Sequence, residues 1–221
     1  MIWVTGDKHG QPEALQTPEY KQLRKNDTLI ICGDFGFIWN ESKEESKNLR
    51  WLAKRKYQIA FVDGCHENFD KLGAFPVEDF AGGKARRIEK NIVQLLRGEA
   101  YSIEGKSILC FGGGLNETHE DSLRNIAWWP QETPSEDDVD TAIKSIEKAN
   151  GHFDLMISFE APSSIHRCME DYLSETGVIH DVLEEIRTHC AFSKWFFGRY
   201  HVDKSIPPIY RAVFNDVVAV E

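Results

Sequence analysis

Four short stretches carry side chains able to do chemistry at a metal ion. Asp7 and His9 stand in Gly6-Asp7-Lys8-His9-Gly10, Asp34 in Gly33-Asp34-Phe35-Gly36, His66 in Gly64-Cys65-His66-Glu67-Asn68, and His201 in Gly198-Arg199-Tyr200-His201. Carboxylates and neutral imidazoles together suit a borderline divalent ion such as Mn, Fe, Zn or Ni. The flanking glycines let backbone approach such an ion closely. A lone Asp-x-His would say little, but four such motifs, each following an apolar run, point to a single site.

Those apolar runs must bring the motifs together. Residues 2–4, 28–32, 58–62 and 107–111 are short, β-rich and end in a Gly-containing turn, as buried strands do. Residues 154–158 and 195–198 have the same character. Helical spacing lies between them: residues 42–56 carry Leu49 and Leu52, residues 133–150 carry Val139, Ala142, Ile143 and Ile146, and residues 178–187 carry Val182, Leu183 and Ile186. In the second of these, Thr133 with Glu136 predicts a capping box, Pro134 the first helical position and Gly151 the end. Strands alternating with helices predict an α/β fold. Closely spaced strands within 92–111 and 209–220 predict hairpins, hence mixed sheets. Strand ends of such sheets share one rim, the place where open α/β sheets bind ligands. The segment 112–134, with Gly112, Gly113, Gly114 and a polar run over 116–121, is the least patterned, and a loop of that length is more often a functional edge than filler.

Composition narrows the function classes. Among 221 residues, 36 Asp and Glu stand against 26 Lys and Arg, a net charge of −10, and such a field repels the phosphate backbone of long nucleic acid. Six Trp and thirteen Phe in a chain that is 41% hydrophobic exclude disorder. The apolar runs are too short for a membrane span. The N-terminus has neither a basic region nor a long apolar one, so no secretory signal and a cytoplasmic address are expected. Five cysteines without Cys-x-x-Cys spacing predict reduced thiols. Neither a repeat nor a linker appears, and one domain over 1–221 is expected; homodimerisation is compatible with the sequence without being indicated by it.

In order and spacing the motifs resemble the calcineurin-like metallophosphoesterase family, whose pattern runs D-x-H, G-D-x-x, G-N-H-E, a later His, then G-H-x-H. The resemblance spans 6–201 and is strongest to small bacterial members through the phrases at 33–36, 62–70, 127–130 and 161–164. It implies a four-layer sandwich of two mixed β-sheets flanked by helices. It also implies a first metal held by Asp7, His9 and His201, with Asp34 bridging to a second. At the three further second-metal positions this chain has Cys65, Phe159 and Arg199 in place of Asn, His and His. Phe159 offers no ligand atom and Arg199 stays protonated, so the expectation is one divalent transition metal and a degenerate second site. Arg199 would then supply a fixed positive charge where the second ion sat, pairing with Asp34 or a phosphate oxygen. His66 would protonate the leaving oxygen or contact the phosphoryl group.

The resulting expectation is a metal-dependent phosphodiesterase or phosphatase acting on a small phosphate ester or nucleotide, with His66, Asp34 and Arg199 as catalytic groups. The alternative is a pseudoenzyme that binds a nucleotide or protein partner without hydrolysis. Secondary candidates are Glu160 as a replacement ligand, Asn116 and His119 as lid residues, a basic cluster at Lys84, Arg86, Arg87 and Lys90, and Trp128 with Trp129 as a stacking or anchoring pair.

Overall fold

The computed structural model describes residues 1–114, 129–169 and 176–220. A first sheet contains β1 (Ile2–Thr5), β2 (Thr28–Cys32), β3 (Gln58–Val62), β4 (Val77–Phe80), β5 (Gly83–Glu89), β6 (Ile92–Leu95) and β13 (Val218–Val220), in the order β13-β1-β2-β3-β6-β5-β4. A second contains β7 (Ala100–Ile103), β8 (Lys106–Phe111), β9 (His152–Ser158), β10 (Ala191–Phe197), β11 (Lys204–Ile206) and β12 (Tyr210–Ala212), in the order β11-β12-β10-β9-β8-β7. Both are mixed. β1, β2, β3 and β6 run parallel, as do β8, β9, β10 and β12, while antiparallel strands close the edges.

The central strands are buried on both faces, and their side chains alternate between two cores. Val4, Ile30, Cys32, Ala60 and Val62 of the first sheet meet Ile108, Cys110, Leu155, Ile157 and Phe196 of the second in the layer between the sheets. Their neighbours Trp3, Leu29, Ile31, Ile59 and Phe61 face outward against Leu52 of α1 (Lys43–Ala53) and Leu72 of α2 (Phe69–Gly73). On the far side Leu109, Phe111, Met156 and Trp195 pack against Ala142 of α3 (Glu136–Lys148) and Leu183 and Ile186 of α5 (Val178–His189). The short α4 (Ser163–His166) follows β9. The result is the helix–sheet–sheet–helix sandwich expected from the sequence.

Two local expectations are corrected. The capping box of α3 is formed by Ser135 and Asp138, with the Asp138 amide donating to Ser135 Oγ at 3.2 Å and the Ser135 amide to Asp138 Oδ2 at 2.8 Å. Thr133 instead ends the preceding 3₁₀ turn over Pro130–Glu132 in extended geometry, which Pro134 imposes on the residue before it. The strands within 209–220 do not form a hairpin. β12 pairs with β11 in the second sheet, and β13 crosses to the edge of the first beside β1. The crossing is pinned by Asp203, whose carboxylate accepts from the amides of Phe214, Asn215 and Asp216 at 2.8, 3.1 and 3.1 Å. The basic cluster lies on the β4–β5 edge, where Lys84 and Arg87 pair with Asp79 and Glu78 across the strands. Asn116, His119 and Trp128 lie outside the described residues.

Candidate metal centre

Residues after the C-terminal ends of β1, β2, β3, β9 and β10 meet at one rim. Asp7 is buried, and both His201 Nε2 and His9 Nε2 lie on its Oδ2, at 2.6 and 2.9 Å; the two nitrogens are 3.3 Å apart. Asp34 stands beside this group. Its Oδ2 lies 3.8 Å from His9 Nδ1 and 3.0 Å from His66 Nδ1, and its Oδ1 accepts from the His66 amide at 2.8 Å. Two overlapping sets of potential ligands therefore share His9: Asp7–His9–His201 and His9–Asp34–His66.

The backbone holds these side chains in costly conformations. His9, Asp34 and His201 have φ of +46°, +41° and +48°, a region that costs non-glycine residues of order 1 kcal/mol or more each. Hydrogen bonds fix them there. The amides of Lys8 and His9 donate to Asp34 O at 3.0 and 2.8 Å. The amides of Phe35 and Gly36 donate to the carboxylate of Glu67 at 2.6 and 3.2 Å. Burial, with the charge of Asp34 adding to it, pushes the Glu67 carboxyl well up. Gly64 must be glycine, because a Cβ there would fall 2.0 Å from Asp34 Oδ1. His201 stacks on Phe214, centroids 4.9 Å apart, and Lys8 Nζ donates to Phe214 O at 2.8 Å. Glu67, Lys8 and Phe214 are supports that the motif pattern did not single out. Phe214 in particular becomes a neighbour of His201 only through the strand crossing.

Electrostatics set the first group apart. Burial raises the Asp7 carboxyl, but hydrogen bonds from His201 and His9 more than offset this and hold it below the usual carboxylate range. The hydrogen bond to Asp7 raises His9. Asp7 Oδ1 is buried without a donor among the described residues, an acceptor that a cation would satisfy. Two imidazoles and a carboxylate oxygen that already converge thus fit one divalent ion.

The opposite side of Asp34 is built differently. Cys65 Sγ lies 3.9 Å from Asp34 Oδ2, and burial, reinforced by Asp34, pushes its thiol well up. The Phe159 ring is fully buried and fills the space over Gly33, where a Cβ would fall 2.0 Å from Phe159 Cδ2. The Arg199 guanidinium carbon stands 5.9 Å from the centre of that ring, and its Nε donates to Glu160 Oε1 at 3.2 Å. Glu160 thus carries Arg199 as its partner instead of turning into the site as a ligand. These residues do not fit a second cation.

The model for calcineurin-like phosphoesterases matches residues 1–178. The chain belongs to that family. Its members act on phosphate esters with divalent metal ions, and the rim of this calcineurin-like chain gathers the groups for that chemistry. No curated relative matches the sequence. Among the described residues no helix is long and apolar enough to cross a membrane.

His9 and His66 also line a cavity of about 490 Å³ that extends to Trp39, Asn40 and Asn48 at the start of α1. Trp129 meets Trp39 edge-on, centroids 5.6 Å apart, and its Nε1 donates to Asp70 at 2.9 Å, which makes it an anchor of the cavity wall.

Proposed function

We propose that this chain is a phosphoesterase that works with a single divalent ion, held by Asp7, His9 and His201 with Asp34 at its side, and with Arg199 in the position of a second ion. The observation that carries the reading is the asymmetry around Asp34: three basic atoms converge on one side, and a hydrocarbon ring and a guanidinium occupy the other. When bound, the ion supplies Lewis acidity to water and the phosphoryl group.

The chain's own residues supply the rest. Arg199 offers a permanent positive charge, which supports the phosphate and the charge developing on it. Its charge is felt at both His9 and Cys65, on either side of Asp34. With Nδ1 hydrogen-bonded to Asp34, the His66 ring turns Nε2 toward the cavity. As imidazolium it would give that proton to the leaving oxygen. The departing ester group would occupy the cavity beside Trp39.

Elemental analysis with hydrolysis of bis(p-nitrophenyl) phosphate and p-nitrophenyl phosphate under added Mn, Ni, Zn or Mg tests the reading. About one metal per chain, with hydrolysis that disappears in Asp7→Asn, is expected. Metal binding without hydrolysis of either compound would favour a binding module instead.

A further inference from the structure

Behind Arg199 lies a polar group that no metal position accounts for. Glu160, His166 and His180 are exposed by only 2, 3 and 2%, and one ligating atom from each lies within 4.8 Å of the others. Two imidazoles and a carboxylate are a donor set for a transition metal, so a cation is the first occupant to weigh. Two observations speak against it. The Gly177 amide donates to His180 Nδ1 at 3.1 Å, which leaves the proton of the neutral ring on Nε2. That atom stands 3.4 Å from Glu160 Oε2 without a hydrogen bond to any described residue, and it carries the proton in place of a lone pair for a metal. The carboxylate also already faces the fixed charge of Arg199 at 3.2 Å, which would repel a divalent ion.

We infer that Glu160 is a positioning residue, which grips Arg199 through Nε and has His180 standing against its other oxygen. The inference rests on the role proposed above for Arg199. Gripping a guanidinium at Nε fixes the plane and direction of the remaining N–H groups. The frame around the grip is rigid. Phe159 and Glu160 follow β9, Arg199 follows β10, and the amides of Gly198 and Arg199 both donate to Phe159 O at 3.1 Å. On the other side, the His166 ring packs against His180 with centroids 4.4 Å apart and is tied to the Tyr200 hydroxyl at 2.7 Å. Among the described residues, Arg199 Nε–H donates to one carboxylate oxygen and His180 Nε2 stands 3.4 Å from the other. A glutamine would set its N–H₂ against either Arg199 Nε–H or His180 Nε2–H.

The test compares Arg199→Ala, Glu160→Gln and the double variant in the metal-loaded protein. Calorimetry reads the affinity for inorganic phosphate, and bis(p-nitrophenyl) phosphate reads turnover. Each single change should weaken phosphate binding about tenfold or more, as loss of a charge-assisted contact does, with metal content unchanged. The double variant should be no worse than Arg199→Ala, because the two residues act as one unit. Added guanidinium should recover binding in Arg199→Ala but not in the double variant, a difference that a merely structural glutamate would not produce. His180→Gln, which spares the carboxylate, should give a smaller loss that also vanishes in the Arg199→Ala background, and it keeps the test open should Glu160→Gln fold poorly. If Arg199→Ala alters neither binding nor turnover, the role of Arg199 falls and this inference with it. If Arg199→Ala weakens binding but Glu160→Gln does not, or if the losses multiply, positioning by Glu160 is overturned while Arg199 stands.

Discussion

The two sides of Asp34 use the same architecture for opposite ends. On one side, strand ends deliver Asp7, His9 and His201, whose basic atoms lie within 3.3 Å of one another. On the other, equivalent strand ends deliver Cys65, Phe159 and Arg199: a buried thiol, a buried ring and a cation anchored to Glu160. Strand-to-strand amide bonds hold the backbone on both, from Lys8 and His9 to Asp34 O on one and from Gly198 and Arg199 to Phe159 O on the other. The difference lies in side-chain chemistry, and the single-ion reading proposed above rests on it.

The largest effect should come from the converging side. His201→Ala should lose the bound ion and with it the stabilisation that metal confers, about 2.7 kcal/mol at a metal concentration a hundred times Kd. Thermal melts with and without metal would read this, and an unchanged metal-dependent shift would break the comparison. Next, the triple change Cys65→Asn, Phe159→His, Arg199→His should raise metal content from one toward two per chain by elemental analysis. A value that stays at one would mean that the backbone on that side differs as well. Gly64→Ala acts on the hinge between the sides. Its Cβ would push Asp34 from its place, and a loss of about 1–3 kcal/mol in denaturant unfolding is expected, together with weaker metal binding.

The smallest effect concerns Lys8, behind the converging side. Burial pushes its ammonium down to about 8 from 10.5, against the pull of Asp7. With the folded pKa below the unfolded one, the unfolded chain binds more protons between pH 8 and 10.5, so this group's contribution to stability rises with pH across that window. Below pH 8 the penalty is fully present. Lys8→Met should remove the dependence, so the stability gap between variant and wild type should shift in favour of wild type as pH rises from 8 to 10.5. A gap that stays constant across that range would refute the assignment.

Much of this was legible in the chain. The β-rich runs before Asp7, Asp34 and Cys65 formed strands because they are apolar throughout and serve two cores, and their glycine turns formed the rim. The edge strands β4 and β11 and the neighbouring β5 were not legible, since their half-exposed, charged side chains lack the pattern of a buried strand. The crossing from β12 to β13 was misread because local spacing resembles a hairpin. Asp203 decides against that from a distance by binding three amides.

The sequence by itself determined which atoms could ligate, that Phe159 and Arg199 could not, and that all lay after strands. Residue type sets ligand chemistry, and hydrophobic period sets elements. Only the tertiary structure decided that Arg199 turns to Glu160, that His180 stands behind that carboxylate, and that Phe214 lies under His201. Those contacts join strands far apart in the chain, and no local periodicity carries the information about which buried donor meets which acceptor.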